Sequence, residues 1–194
     1  MTITYKELKR LIRFKERDNN EIRFSDYDIR EALNECIRYF NNSYALQNSD
    51  FLEKTTIYDN TIFDKEFLCF GLELPEDFIV LQDLQNLETK ERMYPVVGAT
   101  WPRHNQYKIT NNKLYVDCGA VVMVYKAAIP EVKGEDDVLE LPFVFKDSLA
   151  KITCMILENN TSTDVMMEAV NDAVTKLVPR RRYVNARVKM PFMA

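Results

Sequence analysis

The hydrophobic period of this chain changes twice, and that restricts its fold more than any other feature. Ile29, Ala32, Leu33, Cys36, Ile37 and Phe40 recur at the 3.6-residue spacing of one helix face. From about 51 to 130 the pattern gives way to short runs rich in Ile, Tyr, Phe and Val, separated by turn residues. After "PEVKGEDDVLELP" the helical spacing returns. The chain therefore reads as α+β, with helices at both ends and a β-rich insert between them.

Local punctuation supports this reading. Thr4 and Glu7 form a T-x-x-E capping box ahead of a stripe of Tyr5, Leu8, Leu11 and Ile12, which ends near 17–20. Ser25 and Asp28 start the second helix, and the polar run 41–43 is expected to stop it. The predicted strands are "KTTIYD", "FLCFGLEL", "MYPVVG", "QYKIT", "LYVD" and "AVVMVYKAA", with Asn111-Asn112 as a tight hairpin because Asn tolerates positive φ. Residues 75–84 fit either a short helical turn or an irregular crossing. Pro142 opens a third helix with Phe145, Leu149, Ile152 and Ile156 on one face. A fourth carries Met166, Ala169, Val170, Ala173, Val174 and Leu177 before Pro179 ends it. The expected organisation is helices at 1–50, the insert at 51–130, helices at 131–178, and an extended arm at 179–194, with the two helical pairs packed as one bundle.

Charge is unevenly placed. The arm holds Arg180, Arg181, Arg182, Arg187 and Lys189 and no acid, so it carries +5; the whole chain is formally −4, leaving −9 on the other 178 residues. No apolar run approaches the roughly 18–20 residues that span a bilayer, and the first residues lack a signal-peptide core. An intracellular, soluble protein is expected. Cys36, Cys69, Cys118 and Cys154 stand too far apart for a CxxC pair and read as reduced, partly buried thiols.

A search for chemistry returns little. The four glycines form neither GxGxxG nor GxxxxGK[ST]. His104, the one histidine, lies in "WPRHNQ" beside the one tryptophan, Trp101. No nucleophile motif accompanies it, and the pair reads as a surface loop with an aromatic anchor that faces a partner. "GEDDVLE" at 134–140 reads as a solvated connector. Neither a metal nor a cofactor is expected, and the chain is not expected to be an enzyme.

The arm has three readings. Its arginines could neutralise nucleic-acid phosphates, making the chain a small nucleic-acid-binding or regulatory module; it could be a frayed terminus; or it could dock. The apolar tip favours docking, since Val184, Val188, Met190, Phe192 and Met193 have no core of their own. Arg180, Arg181, Arg182, Tyr183, Arg187, Met190, Phe192 and Met193 are then the partner-binding set, with arginines pairing carboxylates and the tip filling a pocket.

Several phrases occur together in a recognisable order. They are Tyr107 with Ile109 and Leu114 in a hairpin, an apolar strand ending at Tyr125 before Pro130, the acids Asp136-Asp137, and Leu141-Pro142 opening a helix. Upstream lie "LELPEDFIVLQDL" at 72–84 and "MYPVVG". This order resembles the adaptor proteins of tailed bacteriophages, also called head-to-tail connector, ring or tail-tubular proteins, over roughly 72–158. The resemblance implies a structural virion protein of the head-tail neck, assembled in the host cytoplasm into a ring of usually twelve copies. Its helical bundle would meet the portal protein, and its β-rich part the tail or a second ring. The terminal segment would dock on the portal or a neighbouring copy, with genomic DNA passing an acidic lumen unbound. No membrane partner is implied. The tip "VKMPFMA" matches no pattern of that family.

Overall fold

The computed structural model describes residues 2–18, 20, 22–47, 49–59, 61–98, 100–158 and 162–178. Among these, the order is β1 (Ile3–Thr4), α1 (Tyr5–Lys15), α2 (Asp26–Ala45), β2 (Glu53–Tyr58), β3 (Ile62–Asp64), β4 (Cys69–Glu73), β5 (Phe78–Asn86), β6 (Tyr94–Pro95), β7 (Gln106–Thr110), β8 (Lys113–Val116), β9 (Val121–Ala127) and β10 (Val138–Leu139). A 3-10 turn, Phe143–Phe145, then leads into α3 (Lys146–Glu158), and α4 (Thr163–Leu177) follows. The fold is mixed α+β.

Two apolar clusters organise it. The stripes of all four helices meet in one core that includes Leu8, Ile12, Leu33, Ile37, Leu149 and Val170. The second core lies within the insert, around Leu84, Leu114, Val116, Val121 and Met123. β2, β9 and β5 form one antiparallel sheet in that order, and β3, β4, β8, β7 and β6 another, antiparallel except for the parallel pair β6–β7. The β7–β8 hairpin turns on Asn111 and Asn112 at φ 51° and 59°, the left-handed conformation that a two-residue hairpin turn requires.

The helix starts illustrate how local sequence sets the ends. At α2, Ser25 Oγ accepts from the Asp28 amide at 3.1 Å, and the Asp28 carboxylate accepts from the Ser25 amide at 2.9 Å, a complete capping box. At α1 only half the expected box forms: Thr4 Oγ1 accepts from the Glu7 amide, while Glu7 reaches Lys146 at 3.5 Å.

Several elements differ from the pattern-based expectation, among them β3, which no predicted strand covers, and the 3-10 turn that separates Pro142 from α3. Residues 75–84 fall largely in β5, a nine-residue strand. Two register shifts opposite β9 break its in–out alternation, which is why no period-2 signal appears. α2 runs through the polar residues 41–43 to Ala45 because tertiary partners satisfy two of them and Asn42 faces solvent: the Asn41 amide pairs with Ile129, and Ser43 Oγ donates to Asn171 Oδ1 at 2.5 Å. The acidic connector also contains a strand, β10, which pairs antiparallel with β1 and ties the N-terminal residues to it.

Candidate functional site

The partner-binding set in the arm, Arg180, Arg181, Arg182, Tyr183, Arg187, Met190, Phe192 and Met193, lies outside the described residues. The Trp101–His104 loop is within them. Its tryptophan is engaged internally: the indole stacks on Phe67 at 3.9 Å and 21°, meets Tyr115 edge-on at 5.0 Å, and has Lys108 Nζ 4.6 Å from its ring. His104 is exposed, at φ 50°, on a turn held by the Asn105 amide donating to Asp117 Oδ2 at 2.7 Å. The two side chains do not converge on one site. Trp101 anchors the loop on the sheet, and His104 is presented to solvent.

A groove of about 600 Å³ is lined by Tyr58 of β2 and by Ile62, Asp64, Gly71, Glu73 and Tyr115 of the five-stranded sheet, among others. Gly71 forms part of its wall, where a Cβ would stand 3.4 Å from the Tyr115 ring. Asp64 is committed locally, since its Oδ1 accepts from the amides of Glu66 and Phe67. Lys65 and Lys113 share the rim with Glu73. This arrangement places no nucleophile beside a base. Among the described residues no group of three His, Cys, Asp or Glu could hold a metal ion. Burial pushes the thiols of Cys36 and Cys154 up to about 12, so both stay protonated and unreactive near neutrality. No helix among the described residues is long and apolar enough to cross a membrane.

The densest polar construction joins the insert to the helices. The chain leaving β9 runs antiparallel to α2, and α2 grips it at successive turns. Tyr44 donates its hydroxyl to the Ala127 carbonyl. Asn41 and Asn34, two turns apart, each form a paired amide–peptide contact: Nδ2 donates at 3.0 Å to the Ile129 and Val132 carbonyls, and Oδ1 accepts from the same residues' amides at 2.9 and 2.8 Å. Between them Arg38 Nε meets Glu131 at 3.1 Å, and beyond them Arg30 Nη1 donates to the Lys133 carbonyl. At the other end fully buried Lys126 donates from Nζ to the carbonyls of Tyr44, Ala45 and Gln47. Tyr44 and Ala45 lie in the last turn of α2, where helix carbonyls run out of intrahelical donors, and the Tyr44 and Gln47 carbonyls also accept from the Gln47 and Ser49 amides at 3.0 and 3.1 Å. None of these residues stands in a recognisable sequence motif. The available signals were one lysine inside the apolar run "AVVMVYKAAI" and two asparagines seven positions apart at the edge of the apolar stripe of α2.

Carboxylates brace the insert at Asp77 and the α1–α2 connection at Asp18 and Asp26. Asp77 accepts from Lys54 Nζ at 2.6 Å and from the Tyr125 hydroxyl at 2.9 Å. Burial alone would raise its carboxyl, but these two hydrogen bonds outweigh burial and hold it below the ordinary value. Asp26 is lowered by hydrogen bonds from Lys9 and Arg13. Asp18 is lowered chiefly by the Arg23 amide, with those of Phe24 and Ile22 acting in the same direction against burial. Each native carboxyl thus binds its proton less readily than in the unfolded chain. Their stabilisation is complete above about pH 5 and is lost as pH falls through the lowered native values. A urea midpoint that is flat above about pH 5 and drops below about pH 4 is expected, and Asp26→Asn should flatten the acid limb.

No family model matches this sequence, and no curated protein matches it.

Proposed function

We propose that the chain is an adaptor-ring protein of the head-to-tail junction of a tailed bacteriophage, a structural component that joins the portal to the tail and surrounds the DNA channel. The observation that carries this reading is the order of the resembling segments, each of which has a defined place in the fold. Tyr107–Leu114 spans the β7–β8 hairpin, Tyr125 lies in β9, and Pro130 sits on the connector gripped by α2. Asp137 closes the acidic loop by accepting from the Lys133 and Gly134 amides at 2.7 and 3.0 Å, and buried Leu141 with Pro142 leads into α3. In this reading the four helices form the bundle that meets the portal, the β-rich insert faces the tail or a second ring, and the arm docks on the portal or a neighbouring copy. DNA passes the lumen without specific contacts.

Deleting 180–194 tests the arm. The body is expected to keep its circular dichroism spectrum and thermal midpoint while the protein no longer co-purifies with portal-containing particles. Normal incorporation of the truncated chain would remove the arm from the assembly role. One feature favours a second reading, a nucleic-acid-binding module: the Arg180–Arg182 triplet. Salt-dependent DNA binding by the free protein, lost on Arg180→Ala, Arg181→Ala and Arg182→Ala together, would favour that module over the ring.

A further inference from the structure

Two exposed helix faces carry opposite charge in matched positions. On α1, Lys6, Arg10 and Phe14 recur every four residues on the side away from the core stripe of Tyr5, Leu8 and Ile12, and Arg17 follows just beyond the helix. All four are exposed, and Phe14 is 70% exposed. On α4, Asp164, Glu168 and Asp172 recur with the same spacing on the side away from Met166, Val170 and Val174, with Val165 exposed beside them. Each stripe covers about 12 Å of helix axis. Among the described residues Lys6, Arg10 and Arg17 make no ion pair, nor do Asp164 and Glu168, while Asp172 meets Lys176 at 2.6 Å.

The helix dipole does not account for Lys6. Lys6 stands in the first turn of α1, the end where a cation opposes the helix dipole.

The packing places the two faces apart. α1 approaches α3 at Lys146, which pairs with Glu7, and at Cys154, whose thiol lies beside Glu16. α4 approaches at Ser148, Lys151 and Ile152, which share a cleft with Ala169, Asp172 and Ala173. At 100° per residue these are roughly opposite sides of α3. A basic flank and an acidic flank on one body cannot satisfy each other within that body. They can between copies, as a head-to-tail contact that closes into a ring.

We infer that the outer face of α1 in one copy seats on the outer face of α4 in the next, with Lys6 and Arg10 meeting Asp164 and Glu168 and with Phe14 contacting Val165. The inference rests on the ring reading and assigns its intersubunit faces. The occupant is a second copy because the complementary pattern, in sign and in four-residue spacing, is present on the chain itself.

Two full-length variants test it, Lys6→Glu with Arg10→Glu, and Asp164→Lys with Glu168→Lys. All four positions are exposed, and circular dichroism should show each variant folded. Self-association at low ionic strength, followed by sedimentation and native mass, should weaken about tenfold or more in either variant alone. Mixing the two variants should restore it, because faces of opposite sign then alternate around the assembly. Added salt should weaken the wild-type contact. If the wild type assembles and both variants assemble equally well, the assigned faces are wrong and the ring reading stands. If the wild type neither self-associates nor joins a portal particle, both fall. If the Lys6/Arg10 reversal abolishes binding to duplex DNA and leaves self-association unchanged, the basic face serves a nucleic acid and the inference is overturned.

Discussion

Lys126→Met is expected to lower the unfolding free energy by about 3 kcal/mol, the loss of several charge-assisted hydrogen bonds partly offset by relief of the ammonium's burial. Lys126 is fully buried, and its Nζ reaches the Tyr44 and Ala45 carbonyls at 3.2 Å each and also the Gln47 carbonyl. Methionine is one atom shorter and carries no donor, so the three carbonyls at and just beyond the end of α2 lose the ammonium, while those of Tyr44 and Gln47 keep the Gln47 and Ser49 amides. The favourable placement of a cation at a helix C-terminus is lost as well. Urea denaturation measures the change, and hydrogen exchange locates it. Faster exchange should begin at the amides of Ala127, Ile129 and Val132, where the insert meets α2. A loss below about 1 kcal/mol would mean that desolvation of the ammonium cancels its bonds, and the lysine would then not be a structural clamp.

Asn34→Ala is expected to cost about 2–4 kcal/mol. It removes two hydrogen bonds and leaves the buried amide and carbonyl of Val132 unsatisfied beside a small void. Asn41 makes the same paired contact with Ile129 but is only half-buried, so water can replace the lost side chain. Asn41→Ala should cost about 1 kcal/mol. The difference between the two alanine variants is the informative quantity. Equal losses would show that burial does not set the strength of this zipper.

The helices were legible because their stripes are long and regular. Leu33, Ile37 and Phe40 of α2 and Phe145, Leu149 and Ile152 near α3 mark core faces that are buried as the spacing requires. β5 was not legible, because the two register shifts opposite β9 scramble the alternation that identifies a half-buried strand. β1 and β10 are two-residue strands that exist only through each other, and no local pattern of that length can signal a pairing between residues so far apart in sequence. Trp101 was visible as an aromatic anchor, but its stacking on Phe67 and edge contact with Tyr115 depend on sheet register. The polar joint was the least visible. Lys126 interrupts an apolar run and Asn34 and Asn41 border the stripe of α2, and only the path of the connector along α2 explains why polar residues belong there. The charges of the α1 and α4 faces can be read from sequence, whereas their placement on opposite sides of α3 requires the packing.

Electron microscopy of the chain co-expressed with its portal protein tests the central claim most directly. A closed ring of about a dozen copies seated under the portal, with the helical end toward it, is the expected result. A portal particle that carries no density for this chain, while the chain itself remains monomeric in the same preparation, would contradict it.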